Sequence, residues 1–300
     1  MHRFRPLLYL CTLSALSLAG CQSSAPPSDL HDDLDRPVTL SATPETVLPL
    51  APNLTELVAA AAGVDRLTAV SQSDTHPPGV LDLPRFQSFP LDIERVVELQ
   101  PDLVLASADV NPTDQADQLT GLGIPTYVFS FDELADIPRA LRTLDTLLAS
   151  SNGAAVAESM EQRIDAVQET VSGFGQPRVL LLAGDEDLYA FGRDTYASEM
   201  IRLAGGDNLT DTFPGARAQP GEELVLEMGP EVIFVLLGAD YDPAQLLEKH
   251  PTFFSLPAVQ NGRVYGIDPD LVSRPGPRVA EGLEQLAKRL HPSAFAAGTA

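Results

Sequence analysis

A segment that occurs twice constrains this chain more than any other feature. Glu94-Arg-Val-Val-Glu98-Leu-Gln-Pro101-Asp-Leu-Val-Leu recurs as Glu223-Leu-Val-Leu-Glu227-Met-Gly-Pro230-Glu-Val-Ile-Phe. Each copy reads Glu, three residues, Glu, two residues, Pro, an acid, and then a β-rich apolar run. The physical reading is a short helix whose first-turn Glu meets the positive end of the helix dipole. Proline then stops the helix, and a strand buried on both faces follows. A second pair precedes these in the same order: Thr55-Glu56-Leu-Val-Ala-Ala-Ala-Ala-Gly63 and Ser198-Glu199-Met-Ile-Arg-Leu-Ala-Gly205-Gly206. Each reads as an apolar helix ended by glycine. Two pairs in one order argue for a duplicated lobe.

Further apolar runs extend the pattern. Strands are expected at residues 45–50, 67–71, 103–106 and 126–130, then at 178–183, 232–236 and 264–267. Strands alternating with helices make each lobe α/β with a parallel central sheet. Helices are expected over 137–148 and 154–171, the latter because Val156, Met160, Ile164, Val167 and Val171 recur at helical spacing. A helix between lobes gives a stiff connection and only modest hinge motion.

The N-terminus has the three parts of a secretory signal: Arg3 and Arg5, an apolar run over 7–18, and small residues ending in Leu18-Ala19-Gly20-Cys21. That ending is the lipobox of bacterial lipoproteins, so cleavage before Cys21 and acylation of its thiol are expected, with the membrane reached by the lipid anchor only. Residues 21–36, rich in Ser, Pro and Asp, read as a lipidated flexible tether. The expected organisation is therefore signal 1–20, tether 21–36, N-terminal lobe 37–150, connecting helix 151–173, C-terminal lobe 174–292 and tail 293–300. Cys11 falls in the signal, which leaves one mature cysteine and excludes a disulfide framework and a cysteine metal site.

Composition excludes further classes. Forty-two acidic residues stand against 19 basic ones, and Lys249 and Lys288 are the only lysines. Such a field repels nucleic acid. No Gly-rich phosphate loop, Gly-x-Ser-x-Gly elbow or His-Glu-x-x-His is present, so no catalytic site and no enzyme is expected. A bare zinc or manganese site needs three or four ligands, and His31, His76, His250 and His291 include no close-spaced pair.

Five segments carry a family resemblance. They are Leu50-Ala-Pro-Asn-Leu-Thr-Glu56, Val70-Ser-Gln-Ser-Asp-Thr-His-Pro-Pro78, the stretch from Leu91 through Val104, Ala204-Gly-Gly-Asp-Asn208, and Asn261-Gly-Arg-Val-Tyr265 through Arg274-Pro-Gly-Pro-Arg278. The chain resembles the periplasmic substrate-binding proteins of ABC importers, in which two Rossmann-like lobes joined by one long α-helix enclose a ligand cleft. Within them it is similar to cobalamin-binding lipoproteins. The resemblance implies a monomer that takes a corrinoid, cobalamin or cobinamide, and delivers it to a permease dimer with its ATPase. It implies no cofactor beyond this ligand, and a location outside the cytoplasmic membrane. It further implies that Glu94 and Glu223 dock onto permease arginines, although helix N-terminal stabilisation also accounts for both. Ligand contacts implied by position are Asn53, Ser73, His76, Phe89, Ser107, Tyr189, Phe191, Arg193, Asp270 and Arg274. The chain departs from the pattern in having no tryptophan, with Ser107 at a position where cobalamin binders carry one. Phe89 and Phe191 read equally as core, and His76 as a turn residue before Pro77. The alternative reading is a ferric siderophore or haem binder, for which Arg193, Arg217 and Arg274 would form an arginine cluster.

Overall fold

The computed structural model describes residues 30–296, so the signal, Cys21, residues 21–29 of the tether and residues 297–300 of the tail lie outside the described residues. The first lobe is built from β1 (Val47–Pro49), α1 (Pro52–Ala62), β2 (Val70–Ser71), β3 (Arg85–Phe86), α2 (Ile93–Leu99), β4 (Leu103–Ser107), α3 (Thr113–Gly121) and β5 (Thr126–Phe129). Strand β4 lies between β1 and β5, all parallel, and β2 pairs with β3 beside them. Every residue of β4 is buried, as its unbroken apolar run requires. Helices α4 (Asp136–Leu148) and α5 (Asn152–Val171) follow.

The second lobe contains β6 (Arg178–Leu182), β7 (Ala190–Phe191), α6 (Tyr196–Leu203), β8 (Asp207–Asn208), β9 (Arg217–Ala218), α7 (Glu222–Met228), β10 (Val232–Val235), α8 (Pro243–Lys249), α9 (Pro257–Gln260), β11 (Val264–Gly266), α10 (Val279–Leu290) and α11 (Pro292–Ala296). Its sheet has the order β11-β10-β6-β7-β9, with β8 also on β6. The centre is parallel, whereas β7 runs antiparallel to both β6 and β9. This antiparallel edge has no counterpart in the sequence reading, because two-residue strands are too short to show a period.

The repeat is visible in three dimensions. Helices α2 and α7 each have seven residues, with Glu94 and Glu223 at the second helical position. Each helix ends on a left-handed residue, Gln100 at φ 46° and Gly229 at φ 56°. A buried proline and then the lobe's apolar strand follow in both copies.

Helix α5 has 20 residues and so spans about 30 Å. Asp145 on α4 opens it by accepting hydrogen bonds from the backbone N–H of Gly153 (2.9 Å) and Ala154 (2.7 Å). Gly153 is needed there, since a Cβ would lie 2.2 Å from the Leu141 carbonyl oxygen. One apolar core is continuous from the inner face of the first sheet (Val47, Leu103, Leu105), through Ala157 and Met160 of α5, to Val179 and Phe234 of the second.

The lobes also meet directly. Arg278 donates two hydrogen bonds to Glu56, from Nε at 2.8 Å and from a terminal nitrogen at 2.6 Å. In the other direction, the Leu134 backbone N–H donates to Glu199 at 2.8 Å. Glu56 and Glu199 are the two glutamates of the second repeat pair, so each copy reaches into the opposite lobe.

The end of the segment read as a tether differs from that reading. Among residues 30–36, Asp32 accepts from the Val128 N–H (3.2 Å), and Asp33 binds Arg139 (2.7 Å) and the Ser130 N–H (2.9 Å). Two acidic side chains satisfy backbone donors along β5, an edge that would otherwise stay unpaired. At the other end, part of the segment read as tail forms the short helix α11.

Candidate ligand-binding site

A cavity of about 840 Å³ opens between the lobes. It lies at the carboxyl ends of β4 and β6, the place where open α/β sheets expose their loops. Strand β4 ends at Ser107, which brings Ser107 and Asp109 to the wall, and the loop after β6 adds Asp185, Glu186 and Asp187. Asn53 comes from the first turn of α1. Phe131 lines the first-lobe side, while Tyr189, Phe191, Tyr196 and Arg217 line the second.

Two polar atoms in this wall lack partners. Asn53 is 4% exposed and Ser107 1%, yet the Asn53 side-chain nitrogen and the Ser107 hydroxyl have no hydrogen-bond partner among the described residues. A buried donor left unpaired costs about 1–3 kcal/mol, which a ligand group can recover. Beside them, burial first and then the charges of Asp132 and Asp136 push the Asp109 carboxyl pKa up. Burial, then the Asp109 charge, pushes the Tyr196 phenol up as well, so it remains a neutral O–H. Asp185 behaves otherwise. Burial would raise its pKa, but hydrogen bonds from Lys249 (2.7 Å) and the Tyr241 hydroxyl (2.9 Å) outweigh it and hold the group low.

Of the ligand contacts expected from sequence, Asn53, Ser107, Tyr189 and Phe191 come together in this cavity. The other six are not in its lining. Arg193 is exposed, with Asp194 3.5 Å away. Asp270 and Arg274 pair at 2.9 Å, Arg278 reaches Asp270 at 3.5 Å, and Arg274 donates to the Ser73 carbonyl at 3.4 Å. Those side chains therefore extend the contact between lobes that Glu56 and Arg278 begin. His76 is half-buried ahead of a cis Pro77, and Phe89 is 76% exposed. Glu94 and Glu223 are both exposed. Phe131, Tyr196, Asp109 and the run Asp185–Asp187 were missed. Their signal was available, since each acidic group closely follows a predicted strand at its carboxyl end.

Among the described residues, no group of three or more His, Cys, Asp or Glu side chains is placed to hold a metal ion. No described helix is long and apolar enough to cross a membrane.

The geometry can be set beside known proteins. Residues 49–271 match the family model described as periplasmic binding protein. The chain belongs to this family. The member here is 28% identical to the uncharacterized ABC transporter substrate-binding lipoprotein YvrC of Bacillus subtilis, over 94% of this chain and 96% of that one. It superposes on the periplasmic vitamin B12 binding protein BtuF of Vibrio cholerae with a TM-score of 0.74 and 27% identity, covering 84% of this chain and 99% of that one. A periplasmic heme binding protein of Pseudomonas aeruginosa also matches, with a TM-score of 0.74 and 26% identity over 83% of this chain and 94% of its own. The two-lobe α/β architecture with a helical link is thus that of this binding-protein family.

Proposed function

We infer that the mature chain binds a corrinoid between its lobes and delivers it to the permease and ATPase of an ABC importer. It does so outside the cytoplasmic membrane, anchored through an acylated Cys21. The observation that carries the ligand is the interlobe cavity, with aromatic rings of the second lobe and unpaired polar atoms of the first in its wall. A flat macrocycle needs ring faces to stack on and a few polar groups at its rim. Tyr189 and Phe191 offer the first, and Asn53, Ser107 and Tyr196 the second. The likeness to a vitamin B12 binding protein points the same way. A haem or ferric siderophore is the second reading, favoured by the likeness to a heme binding protein. The arginine cluster it calls for is not assembled, since only Arg217 of the three lines the cavity.

The chain without residues 1–20 is expected to retain cyanocobalamin or cobinamide through gel filtration, with corrin absorbance at one per chain. Retention of haem or a ferric siderophore, with no corrinoid retained, would replace the first reading by the second. Tyr189→Ala is expected to weaken binding by about 1–3 kcal/mol, the range of an aromatic anchor. For delivery, the exposed Glu94 and Glu223 occupy equivalent positions on two similar lobes, which suits a permease dimer. Glu94→Ala with Glu223→Ala should leave solute affinity intact and abolish stimulation of the importer's ATPase. Loss of solute affinity in this double variant would remove the docking role.

A further inference from the structure

The cavity wall carries one sign of charge to a degree the rest of the chain does not. Six of its charged side chains are carboxylates and one is a guanidinium, whereas the whole chain has 42 acidic and 19 basic residues. At the chain's own ratio seven such side chains would include about five acids, so what sets the wall apart is how many of its carboxylates lack a partner. Lys249 neutralises Asp185, and Arg193 lies near Asp194. Asp109, Asp132, Glu186 and Asp187 have no cation at ion-pair distance among the described residues; all four line the cavity and keep contact with solvent, Asp109 while partly desolvated within the cleft. Clefts with low-dielectric walls concentrate such a field.

An independent observation specifies the complementary groups. The Asn53 side-chain nitrogen is a buried, unpartnered donor and requires an acceptor such as a carbonyl oxygen. The Ser107 hydroxyl beside it donates or accepts. The carboxylates in the same wall accept from N–H groups. Carbonyl acceptors and N–H donors around a positive centre describe a complexed metal ion rimmed by carboxamides. Carboxylates or a phosphate on the ligand would meet like charge, with Arg217 as the one lining cation among the described residues.

We propose that this cavity selects its ligand by charge, taking a cationic, amide-bearing metal macrocycle or chelate and disfavouring relatives that carry phosphate or carboxylate. The selection rests on the solute-binding reading above and narrows it. Among corrinoids it favours cobinamide, whose amide-rimmed ring lacks the phosphodiester of cobalamin and keeps its positive charge. A negative ligand charge about 10 Å from one of these carboxylates, at an effective dielectric of about 20, costs roughly tenfold in affinity at low salt, and less as salt screens it.

The test uses two charge-contrasted pairs of probes with the chain lacking residues 1–20, titrated calorimetrically at low and high sodium chloride. One pair is aquacyanocobinamide and cyanocobalamin; the other is ferrioxamine B, a cationic ferric hydroxamate, and haemin, which bears two carboxylates. Within whichever pair binds, the cationic member is expected to bind about tenfold or more tightly at low salt. High salt should narrow the gap, and Glu186→Gln with Asp187→Asn should reduce it at low salt. These two positions are exposed, so the variant tests charge with the fold retained. Binding of ferrioxamine B alone would uphold charge selection and remove the corrinoid reading. Equal or tighter binding of cyanocobalamin or haemin, or a gap indifferent to salt, would overturn charge selection whatever the ligand. Retention of none of the four probes would overturn both.

Discussion

Glu56 and Arg278 stand 222 positions apart and make a two-pronged ion pair in which the Glu56 side chain is 3% exposed. Arg278 carries the burden of neutralising that carboxylate. Arg278→Ala would leave a buried charge without its partner, at a cost of about 3 kcal/mol. Arg278→Lys should recover only part of this, because an ammonium cannot form the planar fork. Urea unfolding midpoints measure both, and an unchanged midpoint in Arg278→Ala would show that the pair contributes nothing. Asp109 works in the opposite sense. Partial desolvation, followed by the charges of Asp132 and Asp136, raises its pKa in the folded chain above the ordinary aspartate value. The folded state therefore holds the proton more tightly than the unfolded one. The stability this gives is full below the unfolded pKa and lost as pH rises through the folded one. Asp109→Asn is expected to raise the unfolding temperature at pH 7 and to have no such effect below pH 3.8. A gain that persists in acid would exclude this account. Sequence alone shows neither behaviour, because Glu56 and Asp109 look like any acid beside an apolar run.

At the scale of elements, the repeated unit of helix, stop and strand was legible. A first-turn Glu, a terminating proline and an apolar run are all local signals, and α2–β4 and α7–β10 follow them. The copies differ at the cap, where the second uses Gly229 and the first places Gln100 in the same left-handed region. A side chain there costs about 1 kcal/mol. Gln100→Gly should therefore gain a few tenths to about 1 kcal/mol, partly offset by the greater freedom of glycine in the unfolded chain. Gly229→Ala should lose about 1 kcal/mol, since its Cβ would meet only ordinary contact with Arg178. Thermal unfolding of the two variants checks these opposite signs. Strands β7 and β9 were not legible, because their pairing is with distant partners and their own two residues carry no pattern.

For the whole molecule, the governing fact is that the largest apolar core runs through α5 from one sheet to the other, while each sheet keeps a smaller cluster of its own. Lobes that share a core and grip each other through Glu56–Arg278 and Glu199–Leu134 should unfold together. One calorimetric transition, with van't Hoff and calorimetric enthalpies in agreement, is the expected result. Two resolved transitions would mean that each lobe is stable alone. The chain's own sequence determined that there are two similar α/β halves with a helix between them, because hydrophobic period, capping and proline placement act within a dozen residues. Only the tertiary structure decided which side chains face the cavity. Asn53 and Tyr189 reach it while Ser73, Asp270 and Arg274 go to the contact between lobes, and no local pattern distinguishes the two sets. That division depends on the angle at which the halves close, which long-range packing sets.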